Sequence, residues 1–253
     1  METWKELTEK YNYDPPYDSS NSISLLIAGP INMVSLNNIE NYRKFFSPII
    51  ISAWSDFPPD APLILQSFLS KDSGIGLKVF MNKSPGKSSI IKNKMFRQYK
   101  TLLPQVCGIL NGAMECNTKY LVRTRSDEIF TDLSPMIDLF YKNPKKVIWG
   151  SVKDQRGGHL GCLWDRMPDG RIGDHLFIAE TDLIKRTYTE FLNLASRSPH
   201  PEGGLSGERK CEETLSKLFV KNQSHENQNN LFLSINMEKM GKFIISVNGS
   251  VYS

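Results

Sequence analysis

Short apolar runs recur along this chain with helix-spaced segments between them, and that alternation limits the fold more than any other feature. The first run, ISLLIAGPI from Ile23, is stopped by Gly29-Pro30. IIISAW (Ile49 to Trp54) and LKVFMN (Leu77 to Asn82) repeat the pattern, and KYLVRT from Lys119 and KKVIWGSV from Lys145 come later. Runs this short, bounded by turn residues, predict strands buried on both faces. Between the first two lies SLNNIENYRKFF, which has helical spacing. Met95, Tyr99, Leu102, Leu103, Val106, Ile109, Leu110 and Ala113 then recur three and four apart, predicting a long helix with one apolar face, kinked or split at Pro104. With LSPMIDLFYKNP as a further helix, strands and helices alternate through residue 152. The expected fold is therefore α/β: a single domain with a Rossmann-type, mostly parallel sheet flanked by helices.

Residues 1–22 include YNYDPPYDSSNS, too polar and proline-rich to bury much surface, and read as an extension before a domain spanning 23–253. Toward the other end, ERKCEETLSKLFV puts Leu215, Leu218 and Phe219 on one helical face with Glu212 and Glu213 toward the first turn, where carboxylates suit the helix dipole. LFLSINM and KFIISVNGSVY read as a closing pair of strands around EKMGK.

Charge excludes some partners. Lys+Arg 31 against Asp+Glu 27 gives a net +4, too mild and scattered for a nucleic-acid surface but compatible with an anionic small ligand. METWKELTEK lacks the apolar core of a signal peptide, and no run approaches the ~18 apolar residues of a membrane span, so the expected location is cytoplasmic. Cys107, Cys116, Cys162 and Cys211 have no zinc spacing and read as buried thiols.

Three segments carry chemistry. In open α/β sheets a ligand lies beyond the carboxyl ends of the strands, which is where KYLVRTRSDEIF turns from apolar to charged. Carboxylates there suit Mg²⁺ or Mn²⁺, hard cations that share their coordination with phosphates. Arg123 and Arg125 would neutralise the acids or reach phosphate themselves. Continued alternation would set Arg123, Arg125 and Asp127 on one side. The plain alternative is a salt-bridged strand end. SPGKSS from Ser84 resembles a P-loop, but Met81 stands where that pattern requires glycine, so a Pro-Gly turn remains, with Asn93, Arg97 and Gln98 near the start of the helix after it. GRIGDHLFIA presents Asp174 and His175 after a glycine-rich connection. Asp174 is either a general base toward a hydroxyl or the N-cap of the helix or strand carrying HLFIA, and His175 either completes a metal site or contacts phosphate.

Taken in order, several of these segments resemble WavE-type lipopolysaccharide-synthesis proteins, glycosyltransferases of the GT-A kind. ISLLIAGPI looks like that family's opening strand, and IIISAW its second, with Ala53 departing from threonine. NKSPG looks like its Asn-x-Asp-Pro-Gly turn with Ser84 for the acid. NKMFRQYKTLLPQVCGI resembles its Asn-x-x-x-Arg-Gln helix, KYLVRTRSDEIF its Arg-Ser-Asp element, and GDHLFIA a later stretch with Ala179 for glycine. The resemblance implies a nucleotide-binding half at 23–152 and an acceptor-side half at 153–253. It implies Asp127, Glu128 and His175 as ligands of Mn²⁺ or Mg²⁺, with Arg125 in place of the first aspartate of the Asp-x-Asp motif. Ala28, Gly29, Pro30, Arg97, Arg125, Ser126 and Asp127 would hold a nucleotide-sugar donor. Asp174 would deprotonate the hydroxyl of a glycan or polysaccharide acceptor, implying inversion, and Trp164 and Glu213 would meet that acceptor. The departures also allow a catalytically inactive GT-A-like module that binds sugar or a partner. A nucleotidyltransferase fits less well, because AGPINM lacks a long glycine-rich loop with a basic residue.

Overall fold

The computed structural model describes residues 23–31, 36–55, 59–70, 76–83, 102–151, 175–197, 208–223, 231–236, 240–245 and 251–252. Each apolar run of the first half becomes a strand: β1 (Ile23–Ala28), β2 (Ile49–Trp54), β3 (Leu77–Asn82), β4 (Tyr120–Arg125) and, after the short β5 (Glu128–Phe130), β6 (Val147–Ser151). Helices α1 (Ile39–Tyr42), α2 (Ala61–Leu69), α3 (Leu102–Met114) and α4 (Ser134–Lys142) alternate with them. Then come β7 (Leu176–Glu180), α5 (Thr181–Arg197), α6 (Glu208–Asn222), β8 (Phe232–Asn236), β9 (Lys242–Ile245) and β10 (Val251–Tyr252).

Seven strands form one sheet in the order β3-β2-β1-β4-β7-β6-β8, and β10-β9-β5 form a second of three. In the large sheet only β7 is antiparallel to its neighbours, so the expected single α/β domain with a mostly parallel sheet is what the chain builds. Every side chain of β1 and β2 is buried, because helices cover both faces. On one face Leu25, Ile27, Ile49, Ile51 and Val122 pack with Tyr42 of α1, Leu65 of α2 and Phe140 of α4. On the other, Leu26, Ile50, Leu121 and Phe177 pack with Ile109 of α3, Ile184 of α5 and Phe219 of α6. Helix α3 lies close against that face at Gly112, where a Cβ would overlap Leu26 and come 2.9 Å from the Ser52 Cβ.

The closing strands differ from expectation. β8 and β9 do not pair with each other: β8 runs parallel to β6 at the edge of the large sheet, and β9 joins β5 and β10 in the small one. The exposed edge of β6 takes one strand and the short β5 takes the other. Gly241, at φ +60, sits in the turn before β9, where a Cβ would overlap Thr131. Described α6 begins at Glu208, so Glu212 and Glu213 stand in its second turn rather than its first. Described α3 begins at Leu102, with Pro104 in its first turn; the upstream part of the expected helix lies outside the described residues. Among the described residues no helix is long and apolar enough to cross a membrane.

Candidate functional site

Successive strands step outward from β1 through β2 to β3, and the chain then returns to place β4 on the other side of β1. In open α/β sheets a ligand lies beyond the carboxyl ends of the strands at such a reversal, although here α1 and α4, the helices that follow β1 and β4, pack on the same face. Here those ends are Ala28 and Arg125, which stand opposite each other in the register. The Gly29 N–H donates to Ser52 O at 3.1 Å, and Ser126 N–H to Ala28 O at 3.3 Å, which carries the main-chain bonding just past the strands. Gly29 takes φ +145, and a Cβ there would overlap Ser126 Oγ and lie 3.3 Å from Ser126 Cβ. A residue without a side chain is what lets the two strand ends meet. Pro30 beside it is exposed.

At Ser126 and Asp127 the chain turns out of the large sheet, so the expected alternation ends at Arg125. Arg123 consequently does not join the acids at the edge. It is 0% exposed, inside the sheet on the face of Leu26 and Phe177. Arg125 does reach Asp127: Nε donates to Oδ1 at 2.7 Å and Nη2 to Oδ2 at 2.6 Å, a fork matched to a carboxylate, with the side chains 27% and 38% exposed. Because β7 runs against β4 with Leu176 opposite Thr124, His175 arrives at the same edge. Its Nδ1 lies 2.5 Å from Oε1 of Glu128, whose side chain is 2% exposed. A buried carboxylate requires such a partner.

The structure therefore brings Ala28, Gly29, Arg125, Ser126, Asp127, Glu128 and His175 to one edge. Arg97, Trp164 and Asp174 lie outside the described residues, as does the side chain of Glu213.

A divalent cation does not suit the side chains as they stand. Both oxygens of Asp127 accept from Arg125, and Glu128 is folded inward against His175. A cation at Asp127 would have to displace the guanidinium and then sit beside it, two cationic groups against one carboxylate. Among the described residues no group of three His, Cys, Asp or Glu side chains is arranged to hold a metal ion.

Supporting residues behind the edge are not visible as such in the sequence. The Phe130 N–H donates to the Tyr42 hydroxyl at 3.1 Å, and the Asn38 and Asn41 side-chain amides donate to Phe130 O at 3.3 Å and Thr131 O at 2.8 Å. Helix α1 thus clamps β5, the strand that carries Glu128. Tyr42 is 1% exposed, and burial pushes its pKa up to about 12, with the charge of Glu128 acting the same way and the bonds from Phe130 and Asn38 opposing it. A second network joins Ser52, Asn82 and Asn111: Asn82 Nδ2 donates to Ser52 Oγ at 2.9 Å, Ser52 Oγ to Gly108 O at 2.6 Å, and Asn111 Nδ2 to Asn82 Oδ1 at 2.7 Å. Its signal is present in the sequence, as lone polar residues inside apolar runs.

A cavity of ≈ 380 Å³ lies at the opposite end of β4, between Cys116–Lys119 and the start of α5. Groups around it are bonded to one another: Lys185 donates to Cys116 O at 3.0 Å, and Thr118 Oγ1 to Tyr120 O at 2.9 Å. It has no strand carboxyl ends of the parallel core beside it, and the β1/β4 edge is the candidate site that the strand order points to.

The fold is that of an α/β protein whose mostly parallel sheet reverses its strand order between β1 and β4. No family model and no curated protein matches the chain. Solved structures similar to it include HddC from Yersinia pseudotuberculosis (11% identity, 89% of this chain and 94% of that one, TM-score 0.46). Another is S. aureus TarS 1-349 (11% identity, 85% of this chain and 58% of that one, TM-score 0.45). A third is a glycosyltransferase involved in the glycosylation of the major capsid of PBCV-1 (10% identity, 85% and 83%, TM-score 0.43). Likeness at this level carries no inference about chemistry.

Proposed function

We propose that the protein is a nucleotide-sugar-dependent glycosyltransferase of GT-A-like build, moving a hexosyl or pentosyl group from a nucleoside-diphosphate sugar to a hydroxyl of a glycan or polysaccharide. One observation carries this reading: the reversal of strand order at β1/β4, where Gly29 and Ser126 meet and Arg125 ends the strand beside them. In α/β sheets ligands lie at that end of the strands, and the fixed positive charge of an arginine there favours an anionic one.

In the proposed reaction the acceptor oxygen attacks the anomeric carbon and the bond from that carbon to the phosphate oxygen breaks. The hydroxyl proton passes to a carboxylate, and the nucleoside diphosphate leaves with the electron pair. Arg125, with Arg97, would stabilise the charge that grows on the leaving phosphate. Asp174 is the proposed base, giving inversion, with Trp164 and Glu213 on the acceptor side. The pairing of Arg125 with Asp127 also favours a second reading, a sugar- or partner-binding module without turnover.

The test is to incubate the protein with uridine, guanosine, adenosine, cytidine and thymidine diphosphate sugars and monitor release of each nucleoside diphosphate by anion exchange. Release from one donor, lowered at least about 100-fold in Asp174→Asn with binding retained, is the expected result. Binding without any release by the wild type would favour the module.

A further inference from the structure

We propose that the basic edge formed by the end of α4, the turn into β6 and the end of α6 docks the protein on an anionic lipid bilayer. The cations that make it are far apart in the sequence, and the fold gathers them. Lys142 lies in the last turn of α4, and Lys145 and Lys146 follow in the turn before β6. Helix α6 ends beside that turn: Gln223 Nε2 donates to Lys145 O at 2.6 Å, which brings Lys221 to the same edge. Arg186 of α5 joins it by donating from Nη2 to Asn222 O at 3.3 Å. Among the described residues Lys142, Lys145 and Lys146 make no ion pair, and the first two are exposed. Of the nearby acids, Glu190 takes Lys221 and the Asn222 side-chain amide, whereas Asp138 and Asp182, one turn before Lys142 and Arg186, temper the charge without pairing with it.

Tyr141 is the second observation. It is 59% exposed, next to Lys142, while Phe140 before it packs edge-on against Tyr120 at 4.8 Å and holds that turn of α4 to the start of β4. Lys119, with its Nζ 5.1 Å from the centre of the Tyr120 ring, extends the positive surface in that direction. At a membrane–water boundary a tyrosine ring sits among the headgroups, and a cluster of lysines beside it is attracted by acidic lipids, roughly fivefold in affinity for each cation near the surface. The exposed ring favours a bilayer over a duplex nucleic acid, which presents phosphates but no apolar layer at its surface. Strands β4 and β6 both run antiparallel to β7, so this edge lies at their amino ends, about 17 Å along β4 from Arg125. Docking therefore leaves the β1/β4 edge turned away from the lipid.

Vesicle co-sedimentation with the full chain tests the proposal. Sucrose-loaded vesicles of phosphatidylcholine alone, or of phosphatidylcholine and phosphatidylglycerol in equal parts, are titrated into wild-type protein at low and high salt. The variants are Lys142→Ala/Lys145→Ala, the same pair with Lys146→Ala, Tyr141→Ser, and Lys83→Ala as a control. Lys83 is an exposed lysine that follows β3, at the opposite end of the sheet. Circular dichroism and melting confirm that each variant folds, and the double variant alters exposed side chains alone.

Wild-type protein should sediment with the anionic vesicles and not with the neutral ones, and salt should weaken the binding. The double variant should bind about 20-fold more weakly and the triple variant about 100-fold, with Lys83→Ala unchanged. Tyr141→Ser should weaken binding by a factor that salt does not alter, since the share of the ring is not ionic. Sedimentation with neither vesicle, equal sedimentation with both, or binding by the triple variant as tight as that of the wild type would overturn the proposal. Binding of a labelled DNA duplex that the same lysine substitutions abolish, with no vesicle binding, would assign the edge to a nucleic acid and overturn it as well.

Discussion

Tyr42 offers a perturbation whose size can be worked from the structure. Its hydroxyl is buried under the site and accepts the Phe130 N–H at 3.1 Å. The pKa stands at about 12 when folded, against 10.0 for the exposed group. A folded pKa above the unfolded one means that the neutral hydroxyl favours the native state. That contribution is complete below pH 10 and is lost as pH rises from 10 to 12. Two pH units correspond to roughly 3 kcal/mol in all, of which about 1 kcal/mol is lost by pH 11. Tyr42→Phe lacks this titration but leaves the Phe130 N–H without its acceptor, a cost of about 1–3 kcal/mol at pH 8. Urea unfolding of both proteins from pH 8 to 11 isolates the effect, because other titrating groups are common to the pair. The wild-type advantage should be largest at pH 8 and about 1 kcal/mol smaller at pH 11. An advantage that stays constant, or grows, over this range would refute the assignment of a buried neutral hydroxyl bonded to β5.

Other substitutions probe the contacts that shape the site and its support. Gly29→Ala should destabilise by about 1–3 kcal/mol, since φ +145 strains any side chain and the new methyl meets Ser126; adding Ser126→Ala should recover part of the loss, and equal unfolding midpoints for wild type and Gly29→Ala would contradict it. Gly112→Val should force α3 off the sheet at Leu26 and Ser52, costing about 1–3 kcal/mol or more in thermal or urea unfolding, and an unchanged midpoint would mean that the helix stands farther off. Ser52→Ala removes bonds to Gly108 and Asn82 at once and should cost about 2–3 kcal/mol by the same assay.

The strands of the large sheet are legible because burial on both faces leaves a plain mark, a short β-branched run ended by Gly-Pro or a charge. That same logic locates the edge at Arg125 to Asp127. What the acids do there is not legible, since spacing gives no sign that the chain turns at Ser126, which draws Arg125 onto Asp127 and folds Glu128 inward. Alternation makes Arg123 look like a partner of Arg125, but its place further back along a buried strand puts it under the helices. The clamp from α1 is hidden for a different reason: Asn38, Asn41 and Tyr42 act on Phe130 and Thr131, 88 to 92 positions away, and no local pattern records such a contact. Sequence proximity misjoins the closing strands, because neighbours along the chain are the natural pair, whereas open edges in two sheets claim one strand each.

The most direct test of the central claim is where a nucleoside diphosphate binds. A crystal structure with the diphosphate that most raises the melting temperature should place its phosphates beside Gly29 and Ser126, about 3 Å from the Arg125 guanidinium. A nucleotide seated instead in the ≈ 380 Å³ cavity beside Lys119 and Lys185, at the other end of β4, would contradict the account.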